Sequence, residues 1–251
     1  MKEDFKYQYN YSDLDPVLYD FAGREIKAKK ILAVLSDYLP EGLEKLSLLD
    51  IGSSTGIITH LLSSSFLSTT GVDIDEKAVA FAQKNFQNEK LKYLVGDSMH
   101  LPFQDDSFDV INCTQVYEHV PDSKILIKEM YRVLKPGGIC FFSAGNRLVW
   151  MEGHYNLPLL SVMPKFMAHG YMRLMRKGKY YYETHLTYWG LKRLVSKFSI
   201  IDYTKQVIQH PDKFCANDMI TQDSAKQKLY LFILKIAYWA CPNYIWILRK
   251  Q

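Results

Sequence analysis

A chain of 251 residues that is 48% hydrophobic and 23% charged can bury one full α/β core, which excludes a disordered or low-complexity protein. The formal net charge of +4 is mild and the basic residues gather in one apolar stretch, so nucleic acid is set aside as a partner. Cys113, Cys140, Cys215 and Cys241 form no C-x-x-C pair and read as reduced thiols of a cytoplasmic protein, and Met1 to Asp15 lacks the apolar core of a secretory signal.

In chain order, Phe21 to Leu39 places Ile31, Leu35 and Tyr38 at helical spacing with Lys27 and Lys30 between them, and Pro40 closes this amphipathic helix. The run Leu48-Leu49-Asp50-Ile51 then reads as a strand buried on both faces, opening into the turn Gly52-Ser53-Ser54-Thr55-Gly56 and a helix from about Ile57. A dinucleotide loop needs G-x-G-x-x-G so that a pyrophosphate can lie on the main chain; side chains fill that space here, which favours a ligand without phosphates and disfavours a nicotinamide dehydrogenase. Thr69 to Asp73 is a second strand, ending in an acid about twenty residues after the loop, where ribose hydroxyls are accepted. Asp73 takes that role, followed by Ile74, while Asp75 is better placed to cap the helix from Glu76. Leu91 to Ser98 gives a third strand with Asp97 and Ser98 at its end, Asp109-Val110-Ile111 enter a fourth, and Ile139 to Ala144 form a fifth after the turn at Pro136-Gly137-Gly138. Such alternation demands parallel strands with right-handed crossovers, and ligands then bind at the carboxyl ends, where Asp50, Asp73, Asp97 and the Thr114-Gln115 pair converge.

The loop, the acids at the ends of the second and third strands, the approach to the fourth and Leu134-Lys135-Pro136-Gly137-Gly138 occur in order from Leu48 to Asn146. Together they resemble the class I S-adenosylmethionine (SAM)-dependent methyltransferases, whose first motif is D-x-G-x-G-x-G; Ser54 replaces the middle glycine. The resemblance implies a doubly wound, mostly parallel, seven-stranded Rossmann-like sheet, SAM as cofactor, and cofactor contacts at Asp50, Gly52, Ser53, Gly56, Asp73, Ile74, Asp97, Ser98 and Gln115. It assigns Asp97 to the adenine amine and lays the leading helix over the cofactor, with Arg24 within reach of the methionine carboxylate or solvated at the surface. The expected organisation is one methyltransferase domain over 1–251, with a helical cap at 14–40, a SAM-binding core at 48–146, an amphipathic insertion or lid at 147–185 and an apolar helical insertion at 224–241.

A hydroxyl acceptor needs a base, and His119 in Gln115-Val116-Tyr117-Glu118-His119-Val120-Pro121-Asp122 is the candidate, because histidine titrates near neutrality. That stretch resembles the E-H-V-x-D segment of quinone- and sugar-type O-methyltransferases, where the pair also serves to orient the loop. His154 and His185 are the alternatives. No fixed-spacing cluster of metal ligands appears, so no metal is expected.

Two departures from a minimal fold bear on the acceptor. Between Asn146 and Tyr182 the chain is basic, with Lys165, Arg173, Arg176, Lys177 and Lys179, and Phe166, Met167, Tyr171, Leu174 and Met175 recur at helical spacing after Pro164. That pattern suits a membrane surface or a lid. The second, Lys226 to Cys241, lies between a strand over Ile200 to Ile208 and a closing strand over Tyr244 to Leu248, after a helix over Thr187 to Lys197. It is apolar on nearly every side yet short for a membrane span, and reads either as a helix packed on the sheet or in a homodimer interface, or as an interfacial helix. The expected partners are a small or lipid-linked acceptor and a peripheral membrane contact. The expected reaction is O-methylation; a non-catalytic module that keeps the SAM fold is the competing reading.

Overall fold

The computed structural model describes residues 9–13 and 16–251. The expectations for Met1 to Asp15 and for the start of the cap therefore lie largely outside the described residues. Two short 3-10 turns, Tyr11–Asp13 and Pro16–Tyr19, precede helix α1, Phe21–Tyr38.

Strands β1 (Ser47–Ile51), β2 (Ser68–Asp73), β3 (Leu91–Val95), β4 (Phe108–Thr114) and β5 (Leu134–Gly145) pair in parallel. Between them run α2 (Ile57–Ser63), α3 (Glu76–Asn85) and α4 (Ser123–Val133). After β5 come a two-stranded hairpin, β6 (Met151–Glu152) and β7 (Leu157–Pro158), and helices α5 (Lys165–Leu174) and α6 (Tyr188–Leu194). The chain closes through β8 (Phe198–Asp202), α7 (Thr204–Gln209), α8 (Ala225–Ala237) and β9 (Asn243–Lys250). Strand β9 runs antiparallel between β5 and β8, giving a seven-stranded sheet in the order β3-β2-β1-β4-β5-β9-β8. This is the doubly wound, mostly parallel sheet that the resemblance implies, and the alternation of apolar runs and turns accounts for its parallel part.

Side-chain alternation builds the two faces. Leu48, Val110, Phe141, Ile245 and Ile247 meet Ile31, Val34 and Leu35 of α1 and Leu62 of α2 on one side. Leu49, Ile51, Ile111, Cys113, Cys140, Phe142, Trp246 and Leu248 meet α4 and α6 on the other. Cys113, Cys140 and Cys241 are buried free thiols and Cys215 is exposed. Asp75 caps α3 by accepting from the amides of Lys77 and Ala78 at 3.0 and 3.1 Å, as its position after β2 predicts.

The strand expected over Ile200 to Ile208 is corrected. It ends at Asp202, and the chain turns into α7, because Thr204, Val207 and Ile208 bury one helical face beside β9. The helix expected over Thr187 to Lys197 is shorter, Tyr188–Leu194, with Thr187 capping it through the Gly190 amide.

Candidate functional site

At the topological switch point the chain leaves β1 towards β2 on one side and β4 lies on the other, so the β1 and β4 tips splay around a crevice. The β1 tip is the turn predicted to hold cofactor, and it needs left-handed backbone at alternate positions: Gly52 (φ 73°), Ser54 (φ 50°) and Gly56 (φ 77°). The glycine pattern of the first motif thus reports backbone conformation, and Ser54 accepts it where a glycine is usual. The loop is tied to β2: Gly52 and Ser53 donate to the Val72 carbonyl at 2.9 and 3.1 Å, and Ser54 N–H donates to Asp73 Oδ2 at 2.7 Å. Thr55 donates to the Leu18 carbonyl at 2.6 Å, fastening the turn before α1 over the loop.

A cavity of about 60 Å³ lies against this loop, walled by Arg24, Lys27, Asp50, Gly52, Ser53, Asn112, Thr114 and Gln115 among others. Asp50 is buried and accepts from Thr59 Oγ1 at 2.5 Å and Asn112 Nδ2 at 2.6 Å. Burial pushes its carboxyl up to about 6 against those two bonds. The folded state therefore holds a proton that the unfolded chain has already lost between about pH 4 and pH 6. Folding stability falls as pH rises through that window, by up to about 3 kcal/mol. Asp50→Asn is expected to remove most of that loss; urea unfolding of the cofactor-free protein at pH 4.5 and pH 7 measures it, and a wild-type-like slope for the variant would refute the assignment.

The expected contacts divide. Asp50, Gly52, Ser53 and Gln115 wall the cavity; Gly56 is the hinge into α2, packed on Ala82 and Tyr93. Asp73 stands behind Ser54, its oxygens taking the amides of Ser54 and Asp75, which leaves lone pairs for a ribose diol. Ile74, Asp97 and Ser98 sit at the neighbouring β2 and β3 ends, outside the cavity walls. Asp97 accepts the Met99 amide at 2.8 Å and lies 3.1 Å from His100 Nδ1. Lys27 and Asn112 wall the cavity without having been singled out as site residues. Lys27 follows Arg24 by three residues on α1, a same-face spacing that marks it.

A second cavity, about 410 Å³, adjoins the first through shared walls of Lys27, Thr114 and Gln115. Gln115, in left-handed backbone at φ 55°, is pinned to β5 and β9 by bonds to Ser143 Oγ (3.2 Å) and Asn243 Oδ1 (2.7 Å). Part of the larger cavity's wall is Glu152, His154 and His185. His154 Nδ1 lies 2.6 Å from Glu152 Oε1, and His185 Nε2 lies 3.6 Å from the same oxygen. Burial opposes charge on Glu152, but the His154 bond and the His185 ring outweigh it and hold the carboxyl at about 2. His154 is raised in turn: burial works against its charge, and the bond to Glu152 and its negative charge overcome that.

His119 belongs to this cluster, although it is not among the cavity's walls. Its ring packs edge-on to His154 at 4.8 Å and against Tyr11 at 5.0 Å, with Nδ1 3.9 Å from Glu183. Burial beside His154 and His185 pushes its imidazole down to about 3, so it stands neutral and weakly basic at pH 7. Glu118 is buried and burial raises it to about 7. Glu152 was not anticipated; its signal was the Glu-x-His spacing to His154, which only gains meaning once His185 folds beside it.

Fold and site together define a doubly wound α/β protein with a ligand crevice at its switch point. Comparison with known proteins narrows that class. The methyltransferase-domain profile matches residues 49–142. A ubiquinone biosynthesis O-methyltransferase of Hydrogenovibrio crunogenus is 26% identical over 67% of this chain and 68% of its own length. A demethylmenaquinone methyltransferase of Staphylococcus aureus is 37% identical over 54% of this chain, and the match spans only 56% of that relative. Among solved structures, the Haloferax volcanii putative methyltransferase in complex with its Trm112 activator shares the fold, with a TM-score of 0.56 at 15% identity over 97% of both chains. Haemonchus contortus phosphoethanolamine N-methyltransferase 2, bound to S-adenosylhomocysteine, superposes at 0.53 and 20% identity over 87% of this chain and 52% of that one. Residues 49–142 thus match the methyltransferase domain, and the comparisons support a class I SAM-dependent methyltransferase with SAM as its cofactor.

Proposed function

We propose that this methyltransferase acts on an oxygen of a small or lipid-linked acceptor, such as a quinone-like phenol, seated in the 410 Å³ cavity. The observation that carries the reading is the pair of cavities sharing Lys27, Thr114 and Gln115, with a carboxylate–imidazole cluster in the wall of the larger one. The residues of the β1 loop fit SAM: Asp73 retains acceptor capacity for the ribose, side chains occupy the place of a pyrophosphate, and Arg24 and Lys27 offer cations to a carboxylate. When bound, SAM supplies a methyl group already activated on a sulfonium. What the chain adds is alignment and proton removal. Gln115, held by Ser143 and Asn243, fixes the partition between the two cavities. The wall of Glu152, His154 and His185 meets the acceptor hydroxyl and stabilises its oxygen as the proton passes to solvent, while the weakly basic His119 serves to support His154.

Relatives named for ubiquinone and demethylmenaquinone support a phenolic acceptor. Isotope-labelled methyl transfer from SAM to a panel of phenols, prenylated phenols and lipid-linked sugars tests it. Glu152→Gln and His154→Ala are expected to lower kcat by about 10²–10⁴-fold while SAM affinity stays unchanged. Tight SAM binding with no transfer to any acceptor would instead favour the non-catalytic reading.

The surface supports a greasy acceptor and a chain resting on a membrane. On α5, Phe166 and Leu174 are 76% and 78% exposed, while Ala168 and Met172 carry the packing. On α8, Leu229, Phe232, Ile233 and Ile236 are exposed and Gln227 and Leu234 are buried, so the helix leaves one long apolar face uncovered within the chain. Trp189 and Trp239 stack at 5.8 Å and are exposed, residue types suited to the headgroup level. Exposed Lys228 and Lys235 accompany that face, and among the described residues no helix is long and apolar enough to cross a membrane. Phe232→Ser/Ile236→Ser is expected to cut partitioning onto anionic vesicles at least about tenfold, since each buried side chain of this size contributes about 1.5–3 kcal/mol. Sedimentation measures it; unchanged pelleting, with dimerisation lost, would assign the face to a second copy of the chain.

A further inference from the structure

We propose that Glu152 Oε1, His154 Nδ1 and His185 Nε2 form a three-ligand site for a divalent cation of the zinc type, open towards the acceptor cavity. The three ligand atoms lie within 4.8 Å of one another, so small side-chain rotations bring them around one ion. They come from β6, the turn after it and the segment before α6, which is why sequence spacing predicted no metal.

The surrounding shell is built as a ligand shell is built. Glu152 Oε2 is fixed by the amides of His154 and Tyr155, both at 3.0 Å, which turns Oε1 towards the two imidazoles. Tyr155 donates to Glu183 Oε1 at 3.3 Å, and the His119 ring packs against the edge of His154. The buried side-chain atoms without a hydrogen-bond partner include both ring nitrogens of His185, whose side chain is 6% exposed and whose Nε2 stands 3.6 Å from Glu152 Oε1, and both carboxylate oxygens of Glu118. Unpartnered buried polar groups are rare in folded proteins and mark a missing partner. Here the missing partner is a cation, since Glu118, Glu152 and Glu183 are all buried around the same imidazoles.

The donor set selects the ion. Two imidazoles with one carboxylate suit zinc-type metals, whereas magnesium and calcium favour all-oxygen shells. Three protein ligands with a fourth position facing a cavity is the arrangement of a working site, where an incoming oxygen completes the shell. Resting on the methyl-transfer reading, the ion would bind and polarise the acceptor oxygen.

The test is equilibrium dialysis of the chelator-stripped full chain against Zn²⁺, with SAM titration by calorimetry on the same samples. The expected result is one Zn²⁺ per chain. Glu152→Gln and His154→Ala/His185→Ala should each weaken it by more than about 100-fold, beyond the loss caused by removing an outer-shell partner. His100→Ala, an exposed histidine elsewhere, should bind as wild type. Because the double variant can misfold, Co²⁺ substitution gives a second readout: a tetrahedral ligand-field band in wild type that Glu152→Gln abolishes. Wild type that binds no Zn²⁺, or variants that bind it as tightly as wild type, would overturn the site. SAM binding without Zn²⁺ overturns the metal and leaves the methyltransferase reading standing; Zn²⁺ binding without SAM sustains the metal and removes the transfer reading.

Discussion

Gly56→Ala is expected to destabilise the protein by about 2–5 kcal/mol and to lower its Tm by about 5–15 °C, readable in thermal and urea unfolding. Two costs add. At φ 77° a side chain occupies left-handed backbone, and the new Cβ would stand 2.5 Å from Ala82 Cβ and 2.8 Å from Tyr93 Cε1. Tyr93 cannot simply swing aside, because its hydroxyl donates to the Gly56 carbonyl at 2.9 Å and its ring is buried between the loop and α3. The predicted damage therefore extends beyond stability, since the loop that would hold the cofactor must move away from β2. A near-wild-type melting curve would mean that the loop is far more pliant than its packing indicates.

Asp73→Ala is expected to weaken SAM binding about 100-fold or more in calorimetry. Charge-assisted hydrogen bonds contribute about 1.5–3 kcal/mol each, and a ribose diol offers two. The same carboxylate also anchors Ser54 and Asp75 amides, so the loop loses its tie to β2 when the acid is removed. Asp73→Asn separates these roles: one acceptor oxygen remains for the backbone, and the expected loss is nearer tenfold. NADH should give no response with any of the three proteins. Undiminished SAM affinity in a folded Asp73→Ala protein would move the ribose contact to another residue.

Much of the cofactor half was legible before folding because it is local. A strand end, a left-handed turn and a helix start follow each other within nine residues, and Gly52 and Gly56 stand where positive φ is needed. The capping role of Asp75 was legible for the same reason, since capping depends on distance from the helix start. The run after Ile200 misled because β-branched and apolar residues satisfy either period over so short a stretch. Only packing against β9 showed that Thr204, Val207 and Ile208 share a helical face.

The larger cavity and the Glu152, His154 and His185 cluster in its wall were decided by tertiary structure. Sequence alone determined the Rossmann-like frame, the SAM-type loop, the candidate histidines and the apolar character of the two insertions, because each depends on residues adjacent in the chain or repeating at one period. Which histidine matters depends on desolvation and on carboxylates brought from afar: His119 is driven neutral by its buried neighbours, whereas His154 acquires Glu152, and His185 joins them from about thirty residues away. The outward faces of α5 and α8 follow the same logic, because an apolar helix is core or surface according to what folds against it. That long-range assembly, which converts ordinary Glu and His residues into one coupled cluster, is set by the three-dimensional path of the chain.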